Sequence, residues 1–308
     1  MNFTNDTSSV TQMQNNWTPT MTVPNISFEF FPPKTIEASF RLWDAAQLLA
    51  PFDPRFVSVT FGALGSTRKL TLDTLKALSQ IRDLRVAGHL TCVNATRDET
   101  LDVARSFRKA GILDIVALRG DPPHGQDKFE PTKGGFRDTC DMITALREEG
   151  PFSIRVGAYP HVHPEARSAR ADIDWLKRKI DAGASEAITQ FFFEADDFLR
   201  FRDACVKVGI TAPIVPGILP IENWRQTVNF AKKCGTPFPS WLKEAFEKAE
   251  RDDRCDLLSV AVGSELCSQL IEEGVENLHF YTLNKPELSR NICFALGLEA
   301  RKALRNVA

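Results

Sequence analysis

The seven cysteines of this chain (Cys92, Cys140, Cys205, Cys234, Cys255, Cys267 and Cys293) all stand singly, with no CxxC and no CxxC…HxxxH spacing. That excludes a zinc ribbon and a thiol redox pair, and no metal site is expected. An odd count with no secretion signal points to the reducing cytoplasm. No apolar run approaches the roughly 18–20 residues needed to span a bilayer, so no membrane partner is expected. Charge of one sign is missing too. The formal net charge is −2, with acids and bases interleaved, which argues against a nucleic-acid surface. Also absent is the GxGxxG turn of an open dinucleotide-binding sheet. The first apolar run is followed instead by "FFPPKT".

What is there is an ordinary globular balance, 308 residues of which 43% are hydrophobic and 25% charged, enough to bury a core without staples. Residues 1–24, rich in Asn, Thr and Ser, read as a flexible or loosely docked tail. Residues 25–308 read as one catalytic domain. Along it, short β-branched and aromatic runs recur at intervals of roughly 25–40 residues. They are "ISFEFF" at 26, "FVSVTFG" at 56, "AGHLTCV" at 87, "DIVALRGD" at 114, "IRVGAYP" at 154, "AITQFFF" at 187, "APIVPGIL" at 212 and "NLHFYTLN" at 277. Nearly unbroken by charge, they suit parallel strands buried on both faces.

Helical periods lie between them, at 71–84, 96–111 and 169–185. The second has Thr96 as N-cap with Glu99 three residues on and Gly111 as its stop; the third stops at Gly183. The long 220–275 interval leaves room for an extra helix or two. Eight βα units predict an α/β chain folded as a (β/α)8 TIM barrel, with an open doubly wound sheet as the rival.

A barrel carries its chemistry at the C-terminal ends of its strands. These ends offer Thr60, His89, Arg119-Gly120-Asp121, Tyr159 with His163, Gln190, and Tyr281 with Asn284-Lys285. Bland readings stand beside each. Thr60 is a good strand former, and His89 and Gln190 suit hydrogen-bonded core positions. Arg119 and Asp121 could pair with each other, and "LKRK" at 176–179 suits a solvated helix face. Glu29, inside an aromatic strand, has three fates: a buried salt bridge, a backbone cap, or an acid whose pKa is raised by burial among its flanking aromatics.

No single short motif decides between these. Taken in order, "SFEFFPPK", "FVSVTFGA", "HLTC", "ALRGDPP", "AYPHVHPEA", "DAGASEAITQFFF", "PIVPGILPI" and "HFYTLN" together resemble methylenetetrahydrofolate reductase, in its short bacterial form, over residues ~26–297. The resemblance implies an FAD-containing barrel that reduces methylenetetrahydrofolate to methyltetrahydrofolate with NADH or NADPH, in ping-pong fashion. The reverse direction remains open in the cell.

It also implies roles. Glu29 matches the general acid that protonates the nitrogen leaving as the folate's five-membered ring opens. Asp121 matches an aspartate facing both flavin and folate. Gln190, Gln226 and Phe230 match folate contacts, and Thr60, Gln190 and Phe230 also match contacts to the nicotinamide cofactor. FAD would be held by Thr60, Phe61, Ala63, His89, Arg119, Gly120, Asp121, Tyr159, His163, Ala166, Asp172, Trp175, Arg178 and Lys179, with Thr139 a further candidate.

The chain departs from the family pattern in places. Phe61 stands where Tyr or Trp is frequent. Trp175 replaces a smaller polar residue, so it either stacks on adenine or blocks the usual contact. Lys285 stands where an arginine helps hold the folate, and it lacks the bidentate fork. The 124–136 loop is longer than usual. A homo-oligomer is implied by family habit. No regulatory domain is expected after the barrel, and hence no inhibition by S-adenosylmethionine.

Two enzymatic rivals are another FAD-dependent barrel oxidoreductase, such as one like proline dehydrogenase, and a reductase subunit fed by a separate electron-transfer protein. A barrel that binds without turnover is the third.

Overall fold

A computed structural model describes residues 23–61, 68–121 and 129–301. The expected tail falls almost wholly outside them. Within them eight parallel strands close into a barrel in sequence order, β1 meeting β8. The strands are β1 (Asn25–Phe30), β2 (Val57–Val59), β3 (Val86–Thr91), β4 (Asp114–Leu118), β5 (Ser153–Ala158), β6 (Glu186–Phe191), β7 (Ile214–Ile218) and β8 (Asn277–Tyr281). Every apolar run picked from the sequence is one of these strands, and the barrel prevails over the open sheet.

The helices are α1 (Ile36–Leu49), α2 (Arg68–Leu78), α3 (Arg97–Lys109), α4 (Thr139–Glu149), α5 (Ala169–Asp181), α6 (Ala195–Lys207), α7 (Trp224–Cys234), α8 (Ser240–Arg251), α9 (Cys255–Glu272) and α10 (Pro286–Ala295). Thr96 and Glu99 form the expected capping box on α3. The long interval holds α7 with α8 and α9 as the extra helices. The helix expected at 71–84 starts earlier and stops at Leu78. Beyond it the backbone tightens through Gln80 N–H to Ala77 O (3.1 Å) and Ile81 N–H to Leu78 O (3.0 Å), and Asp83 then takes a left-handed φ of 62°.

The pleat decides what β1 buries. Ile26, Phe28 and Phe30 pack outward in one cluster with Leu42, Ala45 and Ala46 of α1, each contributing about 1.5–3 kcal/mol of apolar burial. Ser27 and Glu29 alternate with them and so face the barrel interior. Register across the closing seam sets Ser27 against His279 and Glu29 against Tyr281.

The N-terminal end of the barrel is closed by charge. Buried Arg155 donates to Asp114 Oδ1 (2.7 Å) and Glu186 Oε1 (2.9 Å). Arg85 and Arg55 complete the two carboxylates from outside, at 2.6 Å and 2.7 Å. The Arg155 guanidinium also lies over the Phe56 ring, 3.9 Å from its centroid. Each acid thereby has two cationic partners, which is what a buried carboxylate requires.

One glycine is dictated by close approach. A Cβ on Gly217 would sit 2.1 Å from Thr189 O and 2.5 Å from Tyr281 Cε2. That space lets the Tyr281 hydroxyl donate to Thr189 O at 2.7 Å across the barrel, beside Gln190. Gly217→Ala is therefore expected to lower unfolding free energy by about 1–3 kcal/mol. It should also push the Tyr281 hydroxyl off Thr189 O. Denaturant unfolding and the near-ultraviolet tyrosine signal check the two effects.

Candidate active site

A cleft of about 540 Å³ opens at the C-terminal ends of β3, β4 and β5. Among the residues expected to hold a cofactor, Phe61, Arg119, Gly120, Asp121, Thr139, Tyr159, His163, Ala166, Asp172, Trp175 and Lys179 all line it. Thr60, His89 and Arg178 are not part of the lining, and Ala63 lies outside the described residues. Thr60 follows β2 at the rim, its N–H donating to Phe30 O (2.9 Å) and its carbonyl accepting from Thr71 Oγ1 (3.1 Å).

Two helices begin at this cleft. Asp138 caps α4, accepting from Asp141 N–H at 2.9 Å, and Ser168 caps α5, accepting from Ala171 N–H at 3.2 Å. Asp138, Thr139, Ala171 and Asp172 all line the cleft, so both positive helix ends face it. From α5, Asp172, Trp175 and Lys179 follow at helical spacing on one face. Arg178 lies against the Trp175 ring, 4.6 Å from its centroid. Lys179 is buried, its ammonium donating to Gly157 O. Burial pushes its pKa down to about 8 against the pull of Asp172 and Cys140.

The "LKRK" stretch is thus not one solvated face. Lys179 turns inward, while Lys177 pairs with Asp181 (2.5 Å). A buried ammonium, an indole and two helix N-termini around one cleft suit an anionic dinucleotide. The residues present fit FAD.

Asp121 is exposed at the cleft edge, next to Gly120, whose φ of +88° and contact with Val93 exclude a side chain. Arg119 does not pair with Asp121. Its guanidinium forms a fork on Glu165 at 2.8 Å and 2.5 Å. Tyr159 meets His163 edge to face at 4.6 Å. Its hydroxyl is pushed up to about 12 by burial and by Asp121 and Asp172. His163 is pushed down by burial, against Asp172. Its Nδ1 accepts from Glu165 N–H, and its backbone N–H donates to Asp172.

Glu29 stands apart from this lining, inside the barrel. His89 Nε2 is 3.2 Å from its Oε2, and His279 Nε2 is 3.7 Å away. His89 thus turns toward Glu29. Neither Nε2 satisfies hydrogen-bond geometry with the carboxylate or any other group among the described residues. Burial pushes the Glu29 carboxyl up. The charge of His89, contacts to both imidazoles and the charge of His279 outweigh that and hold it at about 2.

The sequence argument predicts the opposite direction. It places Phe28 and Phe30 around the carboxyl, whereas the pleat sends them outward and surrounds Glu29 with imidazoles. The neighbouring Tyr281 hydroxyl is raised well above its usual value, first by burial and then by the Glu29 charge. The backbone here is braced from β8. Thr282 Oγ1 donates to Glu29 O at 2.6 Å, and the Asn284 amide makes two hydrogen bonds to the Phe31 backbone, at 2.8 Å and 2.9 Å.

Apart from Asp121, the residues expected to touch folate lie on the β6–β7–β8 side instead. Gln190 Oε1 accepts from Phe191 N–H at 3.3 Å. Gln226 and Phe230 are four apart on α7. Phe230 is 43% exposed and stacks on Phe191 with centroids 5.2 Å apart. Lys285 pairs with Glu222 at 2.6 Å, so its single charge is already engaged. Residues absent from the sequence reading are Ser27, Glu165 and His279. Only the register that sets β8 against β1 reveals Ser27 and His279.

The family model for methylenetetrahydrofolate reductase matches residues 15–297. The chain is 46% identical over 275 residues to the 5,10-methylenetetrahydrofolate reductase of Salmonella typhimurium (strain LT2), covering 89% of this chain and 91% of that one. It is 37% identical over 284 residues to methylenetetrahydrofolate reductase (NADH) 1 of Arabidopsis thaliana, spanning 88% of this chain but 48% of the plant protein. Among solved structures, an uncharacterized Clostridium thermocellum protein that binds two copies of 5-methyl-5,6,7,8-tetrahydrofolic acid superposes with a TM-score of 0.59 at 17% identity. That match covers 89% of this chain and 94% of that one. At that identity it bears on the fold alone.

Proposed function

The chain belongs to the methylenetetrahydrofolate reductase family, and from that premise we propose that it reduces methylenetetrahydrofolate to methyltetrahydrofolate with a nicotinamide donor in an FAD-dependent, ping-pong reaction. The observation that carries the reading is Glu29, a carboxylate on the barrel's inner face with two imidazoles on it, beside a cleft whose cations and helix ends suit a dinucleotide. FAD bound there would supply the hydride.

Lys179, the α4 and α5 N-termini and Arg119 would hold its anionic and polar parts. Trp175 would offer a flat apolar surface, with Phe61, Thr60, Tyr159, His163, Ala166, Asp172, Arg178 and Thr139 as further contacts. Asp121 would accept hydrogen bonds from the amino-pterin edge. Gln190 would orient either substrate, Gln226 the folate, and Phe230 would cover the ring stacked there. Lys285 would reach the folate only by loosening its pair with Glu222.

Glu29 would deliver a proton to the nitrogen that leaves as the ring opens. Its carboxylate, charged in the free protein, must first gain that proton, which burial beneath a bound folate would favour. NADH is favoured as donor over NADPH. A cytoplasmic homo-oligomer belongs to the same reading. No helix of the described residues is long and apolar enough to cross a membrane.

Steady-state rates with methylenetetrahydrofolate and NADH both varied test this. Parallel double-reciprocal lines are expected. Intersecting lines would remove the ping-pong scheme, and absence of turnover with either nicotinamide donor would remove the function.

A further inference from the structure

β6 keeps step with one neighbour and not with the other. Against β5 its register runs unbroken, from Arg155 opposite Glu186 to Ala158 opposite Thr189. Against β7 it slips. Ile188 faces Val215 and Phe191 faces Gly217, so β6 takes three steps where β7 takes two. The extra residue makes a β-bulge at Thr189–Gln190. A bulge gives up ladder hydrogen bonds and re-aims the side chain it carries.

Side chains take over the backbone groups of this bulge. The Tyr281 hydroxyl donates to Thr189 O at 2.7 Å. Thr189 Oγ1 accepts from Gly217 N–H at 3.0 Å, and Gln190 Oε1 accepts from Phe191 N–H at 3.3 Å. Thr189 is fully buried, where a backbone group left unpaired is costly. Burial, and after it the Glu29 charge, raises the Tyr281 hydroxyl well above its usual value, so it stays a donor.

The reach from β8 to β6 passes over β7 at Gly217. A Cβ there would lie 2.1 Å from Thr189 O and 2.9 Å from the Tyr281 hydroxyl. A phenylalanine ring at 281 would pack as well against the interior cluster of Phe56, Ala87, Val116 and Ile188. Only the hydroxyl serves the bulge.

We propose that Tyr281 is a positioning residue acting through Gln190: its hydroxyl, together with that of Thr189, holds the β6 bulge in the form that turns the Gln190 amide to the substrates. This rests on the reading of Gln190 as a contact for both folate and nicotinamide and deepens it, since it assigns the aiming of that amide to two hydroxyls on β6 and β8.

Two readouts test this. The first needs neither flavin nor substrate. It is the side-chain amide signal of Gln190 in protein labelled with 15N-glutamine, identified by its loss in Gln190→Ala. In Tyr281→Phe the signal is expected to shift; an unchanged signal overturns the proposal. The second is the pair of half-reactions in the flavin-loaded protein. The concentrations of NADH and of methylenetetrahydrofolate that give half the limiting rate are each expected to rise roughly 5–50-fold, within what a misplacement of about 1 Å can cost. The cleft at β3–β5 includes neither Tyr281 nor Thr189. FAD affinity is therefore expected to stay within about threefold.

A double-variant cycle with Gln190→Ala separates positioning from packing. With the amide gone, Tyr281→Phe is expected to cost less than about twofold more in either half-reaction. Losses that multiply in the double variant would make the hydroxyl merely structural and overturn the proposal.

If Tyr281→Phe does not fold, Thr189→Val keeps the branched shape and removes the hydroxyl that meets Gly217 N–H. A shifted Gln190 signal with losses that vanish in the Gln190→Ala background then supports the proposal, and an unchanged signal overturns it. Should wild type show no turnover with folate and either nicotinamide donor, the assigned function falls, while the Gln190 signal still decides whether Tyr281 aims it.

Discussion

Glu29→Gln is expected to fold, to bind FAD and to be bleached by NADH at the wild-type rate, yet to lose about 10²–10⁴-fold in reoxidation by methylenetetrahydrofolate. The amide keeps the size of the acid and can still meet His89 and His279, so the packing of the barrel interior is preserved. What it lacks is the ability to take and give a proton. The structure refines why the carboxylate is there. Burial alone would raise its pKa, but the charge of His89 and the contacts to both imidazoles reverse the sign and hold it at about 2 in the free protein.

The carboxyl of the free protein therefore does not hold the proton to be delivered. A folate ring that displaces water beside Glu29 would add to the burial that raises its proton affinity. Stopped-flow absorbance separates the two half-reactions. A variant that reoxidised at near the wild-type rate would mean Glu29 is not the acid.

The second large effect is on stability. Arg155→Met is expected to lower the unfolding free energy by about 3–5 kcal/mol. The Met side chain fills space under Phe56, but Asp114 and Glu186 lose the guanidinium that joins them at 2.7 Å and 2.9 Å. Both acids are buried, and the outer partners, Arg85 and Arg55, are themselves 59% and 32% exposed and cannot follow them inward. Arg155→Lys should fall between, keeping the charge but not the fork that reaches two carboxylates and lies flat on an aromatic ring. Denaturant midpoints at constant m-value check the order wild type, Lys, Met. A Met variant as stable as wild type would show that the network at this end of the barrel is dispensable.

Strand positions and the barrel were legible in the sequence because each strand is an apolar run buried on both faces, and that pattern survives without knowledge of its neighbours. Most of the lining of the cleft at β3–β5 was legible too, since its residues lie at strand ends and on one face of α5. Two things were not. The direction of the Glu29 shift depends on the pleat, which sends Phe28 and Phe30 away, and on the β1–β8 register, which sets Ser27 against His279 across 252 residues of sequence. The partner of Arg119 was missed for a similar reason. Asp121 is close in sequence, but the β5–α5 loop brings Glu165 into the guanidinium fork.

The measurement that tests the central claim most directly is an anaerobic titration of FAD-loaded protein, first with NADH and then with methylenetetrahydrofolate, followed by visible absorbance. The account predicts that NADH bleaches the flavin band and that folate restores it, one equivalent of methyltetrahydrofolate appearing for each flavin reoxidised. A protein that takes up no FAD, or a bleached protein that methylenetetrahydrofolate cannot recolour, would contradict it.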